Sequence, residues 1–233
     1  MDRSMTTSEG HRPALEITSL RFQYSRSGPV VVDLPAFSLA PGEQVLLTGG
    51  SGFGKSTLLQ LIAGLLEPNA GTVTVDGQNM HALRGAKRDL YRGRHIGMIF
   101  QTFNLLPGFS AAENVMLGLM VSTRPRGEHR DHAVALLKEL GIMTPDASPD
   151  RMSVGQQQRV AVARALSCEP ALVLADEPTA SLDPENARTA MDLIQQTCRT
   201  HGAALLCTSH DPSLRERFER VESLEELMLA PSR

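Results

Sequence analysis

Residues 49–57 read Gly49-Gly50-Ser51-Gly52-Phe53-Gly54-Lys55-Ser56-Thr57, which contains the spacing G-x-x-x-x-G-K-[ST]. A loop of this kind wraps the phosphates of a nucleotide, because its glycines let backbone N–H groups turn inward and approach closely. Lys55 can then reach the β- and γ-phosphates, and the Ser56 hydroxyl is placed for Mg2+. A second element comes more than a hundred residues later. Leu172-Val173-Leu174-Ala175-Asp176-Glu177 is an apolar run ending in two carboxylates. Asp176 can hold Mg2+ directly or through water, and Glu177 is placed to polarise an attacking water as a general base. Alone, the first motif also fits a Gly-rich turn and the second a helix cap. Coupled, they point to a nucleoside triphosphate and its hydrolysis.

Both motifs need a strand to deliver them. Gln44-Val45-Leu46-Leu47-Thr48 precedes the loop and suits a strand buried on both faces. After it, Leu58, Leu59, Leu61, Ile62, Leu65 and Leu66 recur at helical spacing until Pro68. Earlier, Leu15 and Ile17 alternate with Glu16 and Thr18, followed by Val30-Val31-Val32 and by Phe37 and Leu39. Gly28-Pro29 and Pro41-Gly42 punctuate these runs as turns between antiparallel strands would. Residues 71–77 read as a strand ending in a tight turn, and 96–100 as another short strand. Residues 110–166 read as mostly helical, with loops at 124–127 and 144–149. Apolar runs at 171–175 and 203–208 flank a helical stretch at 184–200. Strands alternating with helices predict a parallel sheet, and the early alternation predicts an antiparallel attachment to it.

Composition narrows the classes. The 233 residues suffice for one large α/β core, not for two. A net charge of −3 shows no basic excess, so a nucleic-acid partner is unsupported. Cys168, Cys198 and Cys207 are widely spaced and form neither a metal pattern nor a disulfide framework; free thiols in or near the core are expected. Residues 1–13 are polar, lack the apolar stretch of a secretory signal and read as a disordered tail. No run approaches eighteen apolar residues, so membrane spanning would fall to another chain.

The ordered set of motifs resembles the ATP-hydrolysing subunits of ABC transporters, over about residues 15–210. Met152-Ser153-Val154-Gly155-Gln156-Gln157-Gln158-Arg159 is similar to that family's signature, usually L-S-G-G-Q. Its physical logic stands by itself: Ser153 and Gly155 open a helix carrying Val160, Ala161, Ala163, Ala165 and Leu166, so free N–H groups and the positive dipole end face an anion. In the family, that anion is the γ-phosphate of ATP held by the other subunit. Gln101 resembles the glutamine that touches Mg2+ and water and senses the membrane partner. His210 resembles the histidine that contacts the γ-phosphate. Tyr24 sits where the family stacks an aromatic on adenine, although an edge-strand aromatic is a rival reading. Ser181-Leu182-Asp183 resembles the loop that reaches across the subunit interface.

The resemblance implies an α/β P-loop NTPase core with a mostly parallel sheet, an N-terminal antiparallel β subdomain and an inserted helical subdomain at roughly 102–166, all within 14–233. It further implies ATP and Mg2+ as ligands and a composite site. Residues 49–57 of one subunit and Ser153, Gly155 and Gln156 of the other would enclose each ATP. The partners would be a second copy or homologous ATPase subunit and integral-membrane permease subunits, at the cytoplasmic face of an inner membrane. Residues 102–109 are apolar enough to receive a permease helix, with subdomain core as the rival. With 110–115, they resemble the subgroup serving lipoprotein release, macrolide-type efflux and other mechanical transporters. The short stretch after His210, too short for a regulatory domain, agrees with that subgroup.

Two residues depart from the pattern. Val154 replaces a glycine of the signature, which puts closure or rate at risk. Phe53 is bulky for its place, where its ring is expected to point away from the phosphates. Val154 makes an ATP-gated clamp with little turnover an alternative. A soluble ABC ATPase is another, but it would usually carry two such domains, a zinc site or a long coiled-coil insertion, and the 233 residues show none. A small-molecule kinase would explain neither the signature-like segment nor His210.

Overall fold

The computed structural model describes residues 12–229. Two sheets and a helical layer make up the chain. Strands β1 (Leu15–Phe22), β2 (Val32–Leu39), β4 (Ala70–Val75) and β5 (Gln78–Asn79) form an antiparallel sheet in the order β2-β1-β4-β5. Strands β3 (Gln44–Thr48), β6 (Ile96–Ile99), β7 (Leu172–Asp176), β8 (Ala204–Ser209) and β9 (Arg220–Ser223) form a second sheet, β6-β7-β8-β3-β9, with every pairing parallel. Of the expected tail, residues 1–11 lie outside the described residues, and Arg12 and Pro13 lead directly into β1.

Alternation explains the packing. In β1 the buried positions Leu15, Ile17, Leu20 and Phe22 face one side, apart from a shift in register between Thr18 and Arg21. The parallel strands are apolar on both faces because each face meets a different core. Val45, Leu47, Leu172, Leu174 and Leu206 join the antiparallel sheet and α1 (Lys55–Ile62). Leu46, Val173, Ala175, Leu205 and Cys207 join the helical layer. That layer contains α3 (Ala111–Leu119), α4 (His129–Glu139), α5 (Val154–Leu166) and α6 (Pro184–Thr200). Helix α7 (Leu224–Leu229) packs against β2 and β9.

Two helices differ from expectation. The helix after the phosphate loop stops at Ile62, not near Pro68, because Gly64 takes φ +66° two residues on, past the Ala63 cap. Leu65 and Leu66 thus lie outside it. Helix α2 (Ala86–His95) gave no periodic signal because six of the ten residues in AKRDLYRGRH are charged or histidine. It is anchored by the buried Arg88, which donates to the carbonyls of Leu83 (3.0 Å) and Gly64 (3.3 Å), and by Tyr91, whose hydroxyl donates to the Val75 carbonyl at 2.9 Å and whose ring stacks on His95.

Candidate functional site

Strand register brings the distant motifs together. Thr48, at the end of β3, pairs with Ser209 of β8, and Asp176, at the end of β7, pairs with Thr208. Ile99 of β6 pairs with Ala175. The segments leaving these four strands therefore emerge side by side at the carboxyl edge, where open α/β sheets hold ligands. They carry the phosphate loop, His210, Glu177 and Gln101. A cavity of about 610 Å³ lies there, lined among others by Tyr24, Ser51, Lys55, Gln101, Glu177 and His210. Gly52, Gly54, Ser56 and Thr57 complete its loop side.

The loop's shape depends on Gly54. It caps α1 at φ +86°, and a Cβ there would lie 2.7 Å from the Val31 carbonyl oxygen. The amino end of α1 thereby faces the cavity. Lys55 is buried and donates through Nζ to the carbonyls of Gly49 (2.8 Å) and Gly50 (3.0 Å), with Glu177 Oε1 at 3.5 Å. Glu177 Oε2 meets His210 Nδ1 at 2.8 Å. So Lys55, Glu177 and His210, up to 155 positions apart in sequence, form one continuous chain of contacts across the cavity floor. Glu177 occupies φ +48°, a strained conformation for a non-glycine. Its N–H donates to the Thr208 carbonyl (3.1 Å), which fixes it. Asp176 does not line the cavity; its carboxylate accepts from the Thr208 hydroxyl at 2.9 Å, which aims it from the strand end.

Tyr24 lies two residues beyond β1 and is 67% exposed, so it is not an edge-strand aromatic. Its ring meets Phe22 edge-on, its hydroxyl lies 3.0 Å from Thr57 Oγ1, and one face stays open at the cavity mouth. Phe53 does not line the cavity. Its ring folds back over Gly50, where a Cβ would lie 2.7 Å from two ring carbons. The Gly50 N–H donates to Glu225 Oε1 of α7 at 3.0 Å, a support that sequence reasoning missed.

Ser153, Gly155 and Gln156 are absent from the cavity lining. Ser153 caps α5 reciprocally: its hydroxyl accepts from the Gln156 N–H (3.3 Å), and its own N–H donates to Gln156 Oε1 (3.0 Å). The first-turn amides of Val154 and Gly155 have no intrahelical acceptor, and the space beside Gly155 is open. Within one copy, the signature segment thus stands apart from the cavity that the phosphate loop lines.

Residues 102–109 divide between the two roles considered for them. Phe103 is buried and Leu105 packs on the helical core, whereas Leu106 and Phe109 are exposed. Sequence reading also missed Arg164 on α5. Its guanidinium donates to the carbonyls of Phe103 and Asn104, both at 2.6 Å, and those two residues sit at φ +55° and +48°. A larger cavity of about 690 Å³ lies at the amino edge of the sheet. There His95 pairs with Asp76 and Arg124 with Glu169, whereas the smaller cavity gathers Lys55, Gln101, Glu177 and His210.

The family model described as ABC transporter matches residues 33–180. The lipoprotein-releasing system ATP-binding protein LolD 1 of Rhodospirillum rubrum is 41% identical over 217 residues, spanning 91% of this chain and 96% of the relative. The dimeric structure of the ATP-binding cassette MJ0796 in a post-hydrolysis state with ADP and Pi superposes at TM-score 0.77. It is 30% identical and matched over 90% of this chain and 93% of that one. The structure of cbiO1 from Clostridium perfringens, part of the ABC transporter complex cbiONQ, superposes at 0.75 with 30% identity, over 85% and 79%. On its motifs, its two-sheet fold and these likenesses, the chain belongs to the ABC transporter family, as one of its ATP-hydrolysing cassettes.

Proposed function

We propose that this chain is the ATPase subunit of a transporter that extracts lipoproteins from a membrane. Two copies would sandwich two ATP molecules and drive a permease. The observation that carries the catalytic part is the Lys55–Glu177–His210 chain at the carboxyl edge of the sheet. The lipoprotein role rests on the 41% identical relative named for that system.

ATP would lie with its adenine against the open face of Tyr24 and its phosphates over the N–H groups of residues 49–57. Lys55 would exchange the Gly49 and Gly50 carbonyls for phosphate oxygens. Ser153, Gly155 and Gln156 of the second copy would close the γ-phosphate from the other side. Glu177 takes a proton from water as the water oxygen bonds to the γ-phosphorus. The bond from that phosphorus to the bridging oxygen breaks, and ADP leaves with the electron pair. Lys55 and His210 offset the charge that develops. Glu177 is freed for this role once Lys55 turns to the phosphates.

The residues present fit Mg2+. Ser56, exposed in the first turn of α1, lines the cavity with Gln101, and Asp176 holds a carboxylate aimed by Thr208. These are the hard oxygen donors that the ion takes, and it would neutralise phosphate charge there. Gln101 also stands at the start of the segment with the exposed Leu106 and Phe109, the side proposed to meet the permease. No helix among the described residues is long and apolar enough to cross a membrane. Attachment to the cytoplasmic face would come through that permease.

The test replaces the ATP-binding subunit of a lipoprotein-releasing complex with this chain. ATP-dependent release of lipoprotein from vesicles is the expected result, and Glu177→Gln should abolish it. ATP turnover without release overturns the lipoprotein role, and equal turnover by both forms overturns the hydrolytic one.

A further inference from the structure

Phe53 and Val154 are the two residues that depart from the family pattern, and both leave large apolar surface in water. Phe53 is 48% exposed and Val154 52%. Each stands inside a phosphate-binding half-site. Phe53 lies between Gly52 and Gly54 of the loop, and Val154 between Ser153 and Gly155 at the first position of α5. Neither is accounted for by its own copy. The Phe53 ring folds over Gly50, stays out of the cavity and keeps about half its surface exposed, and the surface around Gly155 is open.

The two-copy ATP site proposed above, on which this inference rests, brings these halves to opposite sides of one triphosphate. Backbone amides face the phosphates, so the side chains between them are directed to the rim. We infer that Phe53 of each copy packs on Val154 of the other and forms an apolar seal beside the triphosphate. A two-fold dimer would contain the contact twice. The pairing explains both departures together: a valine where the signature has glycine gains an aromatic partner, and a phenylalanine at a turn gains a surface to cover. The seal stabilises the closed dimer and slows its reopening, because separation returns both side chains to water.

The test uses the full chain with Glu177→Gln to hold the ATP-bound dimer, and measures its dissociation constant by sedimentation velocity. Phe53→Ser and Val154→Gly should each weaken the dimer about tenfold or more, and the double variant should lose little beyond the worse single one. Affinity of the monomer for a fluorescent ATP analogue reports that the loop of each variant is intact. Independently, Phe53→Cys with Val154→Cys, in a Cys168→Ser background, should give a disulfide-linked dimer only with ATP. Additive or negligible effects in an intact parent dimer, or no cross-link, overturn the seal alone. A parent that stays monomeric with ATP overturns the composite site and the seal with it.

Discussion

Arg164 offers the sharpest test of how the site is held. It belongs to α5, the helix that begins at the signature, yet its guanidinium clamps the carbonyls of Phe103 and Asn104 at 2.6 Å, just after Gln101. Arg164→Met keeps most of the stem and removes both bonds. Hydrogen bonds to a charged donor contribute about 1.5 kcal/mol each at the low end suited to a partly exposed site, hence roughly 3 kcal/mol together. Opposing them is the strain of two consecutive non-glycine residues at positive φ, about 1 kcal/mol each. The clamp therefore outweighs the strain by only about 1 kcal/mol. Without it the segment loses about 3 kcal/mol, and local opening rises on the order of 100-fold. The reporters are the amides of Phe103 and Asn104, which donate to Phe100 and Thr102 carbonyls. Their hydrogen exchange should accelerate by that factor, while the amides of β3 and β8 stay protected. In the assembled transporter, stimulation of ATP turnover by the permease should fall more than basal turnover. Unchanged exchange at residues 103 and 104 would refute the reasoning.

Further outcomes follow from the same geometry. Glu177→Gln should retain ATP binding and lose at least about a hundredfold in turnover, measured by phosphate release. Tyr24→Ala should weaken ATP binding about tenfold, since an aromatic stack contributes about 1–3 kcal/mol, whereas Tyr24→Phe should stay close to the parent in equilibrium titration. Glu225→Ala frees the Gly50 N–H and should raise KM for ATP several-fold with a smaller change in kcat, and Glu225→Gln should recover most of it. Burial pushes the Cys198 thiol up to about 12 and Cys207 higher still, and raises Cys168 less. A disulfide reagent should therefore find at most one reactive thiol, that of Cys168, in the native chain and all three in denaturant.

The site was legible in the sequence where its signals are local. The phosphate loop, the Asp176-Glu177 strand end and the Ser153 cap each announce themselves within a few residues. So the strands β3, β6, β7 and β8 and the helix α6 lie within about a residue of where periodicity placed them. What escaped depended on distant partners or on missing apolar pattern. Helix α2 is held by Arg88 reaching Gly64 and Tyr91 reaching Val75, polar contacts that leave no apolar stripe to read. Strand β9 is four partly exposed residues at the sheet edge. Arg164 and Glu225 act on carbonyls and amides 60 and 175 positions away, and nothing in their neighbours marks them. The sharp end of α1 turned on Gly64, a lone glycine inside an apolar run.

The parallel sheet is a wall with a different core on each face, and its strands send alternate residues to either side. Leu46, Val173 and Leu205 look to the helices, and Val45, Leu47, Leu172 and Leu174 to the antiparallel sheet. Substitutions in one layer are therefore insulated from the other. The helices can be recut to fit a new membrane protein while the nucleotide half keeps its packing. Such a division lets one engine be inherited by machines with different cargo. It also makes the strands themselves the part that cannot drift, since a single inserted residue would exchange both linings at once.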